Sequence, residues 1–290
     1  MCGRLKYLTS KYVIATRYRA YEWVEIFVEL NTIFNENCLD TMARMDDEFI
    51  DLVVTSPPYD NLKDYDGYTF EFESIVKELF RVMKKGGIVV WVVNDATIKG
   101  NETGTSFKQA LFFKECGFFL HDTMIWFKPN SFNFGSNYCY RQSFEYMFIF
   151  SKGKAKTVNL IKDVPAKLGG QTVKGARKHP SGVRDEVPDF VVDEFKRRDN
   201  VWFVNVGTKN HGHPAIFPDE LAGDHILSWS DPGDLVYDPM MGSGTVAKMA
   251  IVHRRQFIGS EISEEYTKNA LERIRPLLEQ QTLELTFDGE

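Results

Sequence analysis

The stretch LVYDPMMGSGTVAKMA (235–250) carries an apolar strand into Asp238, then a turn holding Gly242, Ser243 and Gly244, then a helix from Thr245. Glycines let a backbone turn tightly and approach a ligand closely, and a helix start offers unpaired N–H groups and a positive dipole end. A second strand, QFIGSE, ends in Glu261, 19 residues beyond Gly242. Nucleotide-binding folds place a carboxylate against ribose hydroxyls at that spacing. No Gly-Lys-Ser/Thr follows the turn and no GxGxxG occurs in it, so a polyphosphate is not the expected ligand. An adenosine bearing a carboxylate and an amine fits better. The helix start suits the carboxylate, Asp238 the ammonium and Glu261 the ribose. S-adenosyl-L-methionine meets that description.

A second stretch, VVTSPPYDNL (53–62), stops an apolar run with a hydroxyl, two prolines and an aromatic ring. Prolines cannot continue a sheet ladder, and the first holds the preceding residue extended. The strand therefore ends in a stiff backbone, either as a plain loop or as a working site. Other chemistries find little support. Cys2, Cys38, Cys116 and Cys139 lie far apart with no CxxC pair, which fits reduced thiols. His211 and His213 stand close in NHGHPAIFP but lack further ligands, so no metal is expected.

These residues need a sheet to position them. Strands are predicted at TIFNENC (32–38), DLVVTS (51–56), GIVVWVVN (87–94), DTMIWFK (122–128), FEYMFIF (144–150), DLVYDPM (234–240) and QFIGSE (256–261). Several are apolar throughout, as strands covered on both faces are. Between them FESIVKELFRVMKKGG repeats apolar residues at 72, 75, 76, 79, 80 and 83, a helical stripe expected to end in Lys84-Lys85-Gly86. SFKQALFFKECGF ends similarly at Gly117. GTVAKMAIVHRR and SEEYTKNALERIRPLLEQ read as further helices, the latter capped by Ser263. Alternating strands and helices give an α/β fold around a mostly parallel sheet. DTMIWFK and FEYMFIF are expected to pair antiparallel at one edge.

The 290 residues suffice for one large α/β domain with an insertion. Hydrophobic content of 43% and charged content of 26% are ordinary for a soluble protein. Neither a membrane span nor a signal-peptide core is evident, so a cytoplasmic setting is expected. The net charge of −6 is uneven. From Lys152 to Arg184, nine Lys or Arg (152, 154, 156, 162, 167, 174, 177, 178, 184) face one acid, Asp163, a local +8. The stretch from 151 to 206 shows no long periodic segment and reads as an insertion. Four parts are therefore expected: an extension (1–30), one half of the main domain (31–150), the insertion (151–206) and a cofactor-binding half (207–290).

VVTSPPY, then HPAIFPDELAGDHI, then DPMMGSGT, in that order, resemble the β group of DNA amino-methyltransferases, which methylate the exocyclic nitrogens of cytosine or adenine. The likeness spans roughly residues 31 to 275. It implies a Rossmann-like S-adenosylmethionine-dependent methyltransferase fold, mostly parallel with an antiparallel edge strand. Ser56, Pro57, Pro58 and Tyr59 match the family's catalytic tetrapeptide. Asp238, Gly242, Ser243, Gly244 and Thr245 match its cofactor loop, and Glu261 its ribose-binding acid. His213, Pro214, Phe217 and Pro218 match a segment lining the methionine end of the cofactor. Asn37 and Cys38 stand where the family approaches the adenine, Asn37 replacing a usual aspartate. The insertion occupies the place of the target-recognition region, so Lys152, Lys154, Lys174, Arg177, Lys178 and Arg184 are expected to meet double-stranded DNA.

An exocyclic amine is a poor nucleophile because its lone pair is delocalised into the ring. Ser56 Oγ and a carbonyl fixed by Pro57–Pro58 could accept its two hydrogens and draw the nitrogen towards tetrahedral geometry. Tyr59 would stack on a base flipped out of the duplex. Methylation at a ring carbon needs a cysteine, usually beside proline, and none of the four follows one. Ser preceded by Thr, as in TSPPY, resembles cytosine-N4 members more than adenine-N6 members. A protein-glutamine or RNA methyltransferase and a non-catalytic DNA-binding protein are the more distant alternatives. A cognate restriction endonuclease, and monomer against homodimer, stay open on one chain.

Overall fold

A computed structural model describes residues 11–19, 22–58, 70–131, 139–178, 184–206 and 217–287, with backbone alone at 11–19, 22–27, 176–178, 184–186 and 281–287. Its centre is an eight-stranded sheet. In chain order the sheet strands are β1 (Thr32–Asn35), β2 (Ile50–Thr55), β3 (Met83–Val93), β4 (Phe119–Phe127), β5 (Phe144–Ser151), β6 (Val201–Phe203), β7 (Leu235–Asp238) and β8 (Gln256–Glu261). They lie side by side as β6-β4-β5-β3-β2-β7-β8-β1. All neighbours are parallel except around β5, which runs against both β3 and β4. The expected strands at 122–128 and 144–150 do pair antiparallel. The sheet continues past them, because Val201–Phe203 adds beside β4, so the antiparallel strand lies third from that edge.

The apolar runs are central because both faces are covered. Along β3, Val90 and Val92 join one core with Leu52, Val54 and Val236, while Val89, Trp91 and Val93 join a second core on the other face. That alternation is the period of two of a pleated strand. Helices α1 (Cys38–Ala43), α2 (Phe72–Val82) and α3 (Thr105–Glu115) supply Met42, Leu79 and Phe113 to the second core. Helices α4 (Asp219–Trp229), α5 (Thr245–Val252) and α6 (Glu264–Phe287) supply Ile226, Ala247 and Ile274 to the first. Each large apolar side chain so buried contributes roughly 1.5–3 kcal/mol by leaving water.

Tertiary pairing overrides one local signal. Helix α2 stops at Val82, and Met83 is already extended, before the Lys84-Lys85-Gly86 stop. Met83 pairs with Ile50, Lys84 Nζ donates to Asp51 Oδ2 at 2.6 Å, and Gly86 N–H donates to Lys152 O at 2.7 Å. The chain gains a strand start where periodicity alone would continue a helix. At the C-terminal helix Ser263 Oγ does accept the Tyr266 N–H, at 3.3 Å.

Outside the sheet, Lys11–Arg19 and Glu22–Glu29 form an antiparallel hairpin. The insertion leaves β5 at Ser151, level with Ile88 near the start of β3. It builds two small ladders, Lys162–Pro165 with Phe195–Arg197 and Thr172–Lys178 with Arg184–Val191, and returns through β6. Among the described residues no helix is long and apolar enough to cross a membrane.

Candidate active site

Five parallel strands (β3, β2, β7, β8, β1) end along one edge of the sheet. In register, Thr55 stands opposite Trp91, Tyr237 opposite Val53, Asp238 opposite Gly259 and Glu261 opposite Asn35. Residues far apart in sequence thus come to neighbouring strand ends, each about 4.8 Å from the next. Open α/β sheets bind their ligands outside the carboxyl ends of their strands.

Two acids dominate this edge. Asp238 Oδ1 accepts from Thr55 Oγ1 at 2.7 Å and from the Met240 N–H at 3.0 Å. Oδ2 receives no hydrogen bond from the described residues. Burial, reinforced by the Glu261 charge and partly offset by the bonds from Thr55 and Met240, pushes the Asp238 carboxyl up to about 7. Burial also raises Glu261, against the backbone N–H groups that bond it. Its Oε2 accepts the Gly242 N–H at 2.8 Å and its Oε1 the Ser263 N–H at 2.9 Å. Each carboxylate oxygen has two acceptor directions, so both can still receive a hydroxyl. Two fixed N–H groups therefore orient a carboxylate whose remaining lone pairs suit a ribose diol.

The turn between them is fastened from below. Gly244 is the N-cap of α5 in the left-handed region, φ 77°. Arg273 of α6 donates to Ser243 O at 3.1 Å and Thr245 Oγ1 at 2.9 Å, and to Asp219 Oδ1 of α4 at 2.5 Å. Lys248 pairs with the same carboxylate. One guanidinium thus ties the glycine turn to two helices. Arg273 carries no signal in ALERIRPLL that separates it from a solvated charge. Thr55 does carry one, a hydroxyl ending an otherwise apolar run.

The other expected residues are placed as follows. Ser56, Pro57 and Pro58 follow β2 directly, with Pro57 buried and the other two half-buried. Tyr59, His213 and Pro214 lie outside the described residues. Phe217 packs edge-on against Trp126, ring centroids 6.4 Å apart, and Pro218 is the N-cap of α4. Asn37 caps α1: its Oδ1 accepts the Leu39 N–H at 2.9 Å, which commits its carbonyl and leaves its NH2 to a ligand. Cys38 is buried among Met42, Val53 and Tyr237, its thiol pushed up to about 12 by burial. That thiol belongs to the core on this face of the sheet.

The basic residues separate into two sets. Lys152 Nζ donates to Met83 O at 2.9 Å and lies 4.9 Å from the Phe80 ring centre. It sits beyond Ser151, whereas Val93, at the end of β3 beside Thr55 and Asp238, pairs with Tyr146. Five residues of strand, about 17 Å, separate the two levels. Lys154 is exposed on the same turn, its carbonyl beside Gly86. Lys152 is thus occupied in holding the start of β3, away from the edge that carries Asp238 and Glu261. Lys174 is exposed on the longer ladder, where Arg177 and Lys178 stand opposite Asp185 and Arg184.

Known proteins share this fold. The DNA methylase family profile matches residues 50–272. The orphan methyltransferase M.BamHII of Bacillus amyloliquefaciens is 53% identical over 78% of this chain and 89% of its own. The PvuII cytosine-N4-specific DNA methyltransferase superposes with a TM-score of 0.61, at 21% identity over 84% of this chain and 90% of its own. A DNA modification methylase of Thermus thermophilus, solved with S-adenosyl-L-methionine, gives 0.59 at 21% identity over 85% of this chain and 95% of its own. The family takes its methyl group from S-adenosyl-L-methionine. With the profile spanning most of the sheet and both acid-bearing strands, the chain belongs to the DNA amino-methyltransferases of the N6/N4 family.

Proposed function

We propose that this DNA methyltransferase acts on N4 of a cytosine flipped out of duplex DNA. The observation that carries the reading is the bond from Thr55 Oγ1 to Asp238 Oδ1, 2.7 Å, which sets the start of the SPPY tetrapeptide against the cofactor strand. The donor set fits S-adenosyl-L-methionine. Asp238 Oδ2 offers an anionic acceptor for its ammonium, Glu261 an oriented pair of acceptors for its ribose, and the α5 start N–H groups for its carboxylate. When bound, the cofactor supplies an electrophilic methyl carbon on a sulfonium.

Ser56 Oγ and a carbonyl held by Pro57–Pro58 accept the two hydrogens of the target amine. The nitrogen lone pair, withdrawn from the ring, forms the new N–C bond as the S–C bond breaks. The proton leaves with or after transfer, so no strong base is required. Orientation and stabilisation of developing charge do the catalysis. A serine at the first tetrapeptide position, after threonine, favours cytosine.

The test is methyl transfer to duplex DNA followed by digestion to nucleosides and mass spectrometry. N4-methylcytosine is the expected product. N6-methyladenine would move the target to adenine, and unmodified DNA would overturn the reading. Ser56→Ala should lower the rate about a hundredfold, the usual scale for one polar group at a reacting centre.

The insertion (151–206) serves target recognition in this reading, through Lys174 and the ladder positions of Arg177, Lys178 and Arg184 rather than Lys152. Each phosphate contact adds about 0.9 to the slope of log affinity against log salt. Neutralising Lys174, Arg177 and Lys178 together should flatten that slope by about 2–3. An unchanged slope in a DNA-binding titration would move the contact surface elsewhere.

A further inference from the structure

Strand β2 is apolar and buried along Leu52, Val53 and Val54, yet it ends in Thr55, only 1% exposed. A valine has nearly the same shape and would bury no polar atom. A buried hydroxyl is unfavourable unless bonded, so its partner matters. That partner is Asp238 Oδ1 on the neighbouring strand, 183 residues away in sequence. Thr55 is also the residue before Ser56, and its backbone is locked opposite Trp91 of β3. One side chain therefore joins the strand end carrying the tetrapeptide to the acid facing the cofactor.

We propose that Thr55 is a positioning residue for methyl transfer: its hydroxyl couples the setting of Ser56–Pro57 to the Asp238 carboxylate that receives the amino-acid end of the cofactor. The coupling runs in both directions. The hydroxyl donates to Oδ1 and so leaves Oδ2 as the acceptor for a cation. The carboxylate in turn anchors the last residue of β2, so Ser56 starts from a fixed point. A distance error of an ångström between nucleophile and methyl carbon costs orders of magnitude in rate. A link of this kind is worth most at saturating cofactor, when affinity no longer limits turnover.

Asp238 also feels Glu261 of β8, and its own charge raises the neighbouring Cys38 thiol of α1 and the adjacent Tyr237 phenol. Burial keeps the last two neutral near pH 7. Losing the Thr55 bond removes one influence that lowers the Asp238 carboxyl and leaves the others in place. The pH at which cofactor binding half-develops should then rise.

The inference rests on the methyltransferase reading above, and the experiment separates the two. Wild type, Thr55→Val and Thr55→Ser are compared as full chains for cofactor binding by calorimetry between pH 6 and 8.5, and for turnover on duplex DNA at saturating S-adenosyl-L-methionine. Thermal melting confirms that each is folded. Thr55→Val should lose about tenfold or more in kcat with KM for DNA changed by less than about threefold, and its binding midpoint should move to higher pH. Thr55→Ser, which keeps the hydroxyl, should restore both. Thr55→Val with the kcat and pH profile of the wild type would overturn the proposal while the function stands. The same holds if Ser and Val variants behave alike. A wild type that transfers no methyl group to DNA would overturn the function and this proposal together.

Discussion

Asp238→Asn is expected to weaken S-adenosyl-L-methionine binding by about a hundredfold or more, the scale set by removing one partner of a buried charge pair. The fold should not suffer. An asparagine retains Oδ1, so the Thr55 hydroxyl and the Met240 N–H keep their acceptor. What changes is Oδ2, replaced by an NH2 group that points donors at a cation. Calorimetric titration reads the affinity and thermal melting reads the stability. Binding equal to the wild type would remove the ammonium assignment from Asp238.

The stability prediction for the same variant has a definite sign. The folded carboxyl titrates at about 7, above its ordinary 3.8. Between those values the folded chain holds a proton that the unfolded chain has released. The contribution of this carboxyl to stability is therefore full below about pH 4 and falls as pH rises towards 7, by about 4 kcal/mol in all. Glu36, Asp163 and Asp231, lowered on folding, act the other way in acid. Glu261, also raised by burial, acts in the same direction as Asp238. Asp238→Asn should flatten much of this decline and melt higher than the wild type at pH 8. Cofactor affinity runs the other way, because the cation needs the ionised form. It should drop about tenfold per unit below pH 7 and weaken again once the ligand's own amine, near 8, loses its proton. A site that is costly to keep empty at neutral pH and is relieved by its ligand is a common trade of stability for function.

Much of this edge is legible in the amino-acid sequence. The strand at 87–94 declared itself because burial on both faces makes its core, Ile88 to Val93, apolar throughout, whereas 51–56 and 256–261 showed only short apolar runs, Leu52–Val54 and Phe257–Ile258. Asp238 and Glu261 were legible because each ends such a strand with an acid. Arg273 was not, since its value lies in three partners on other elements that no periodicity encodes. The two ladders of the insertion escaped because arms of three to eight residues, with one face solvated, leave too weak a pattern. Lys152 misled for a related reason. Charge density counted it with the basic stretch, whereas the reversal of β5 carries it to the far end of the sheet. Local composition identifies what a residue can do, and strand direction decides where it does it.

Gly244→Ala should be a severely damaging small change at the cofactor turn. At φ 77° an alanine pays about 1–2 kcal/mol for the left-handed backbone alone. Its Cβ would also stand 2.9 Å from Ala270 Cβ and 3.1 Å from Ala270 Cα, on the buried face of α6. Neither atom is the end of a flexible side chain, so α6 must move or the turn must open. Overpacking of this kind adds about 1–3 kcal/mol. Movement of α6 displaces Arg273, which holds Ser243 and Thr245, so cofactor affinity should fall at least about tenfold as well. Gly233→Ala separates the two causes. Gly233 has φ 90° with nothing within 4 Å of an added Cβ, so it should show the backbone cost and bind cofactor normally. Melting should drop roughly 5–10 °C for Gly244→Ala and about half as much for Gly233→Ala. Adding Ala270→Gly to Gly244→Ala should relieve the contact with Cβ and recover part of the affinity, but not the backbone part, the approach to Cα or the roughly 0.5–1 kcal/mol that a glycine inside α6 costs. Equal losses in the two single variants would show that Ala270 yields freely, and that the close approach of α6 to the turn is not what holds it in shape.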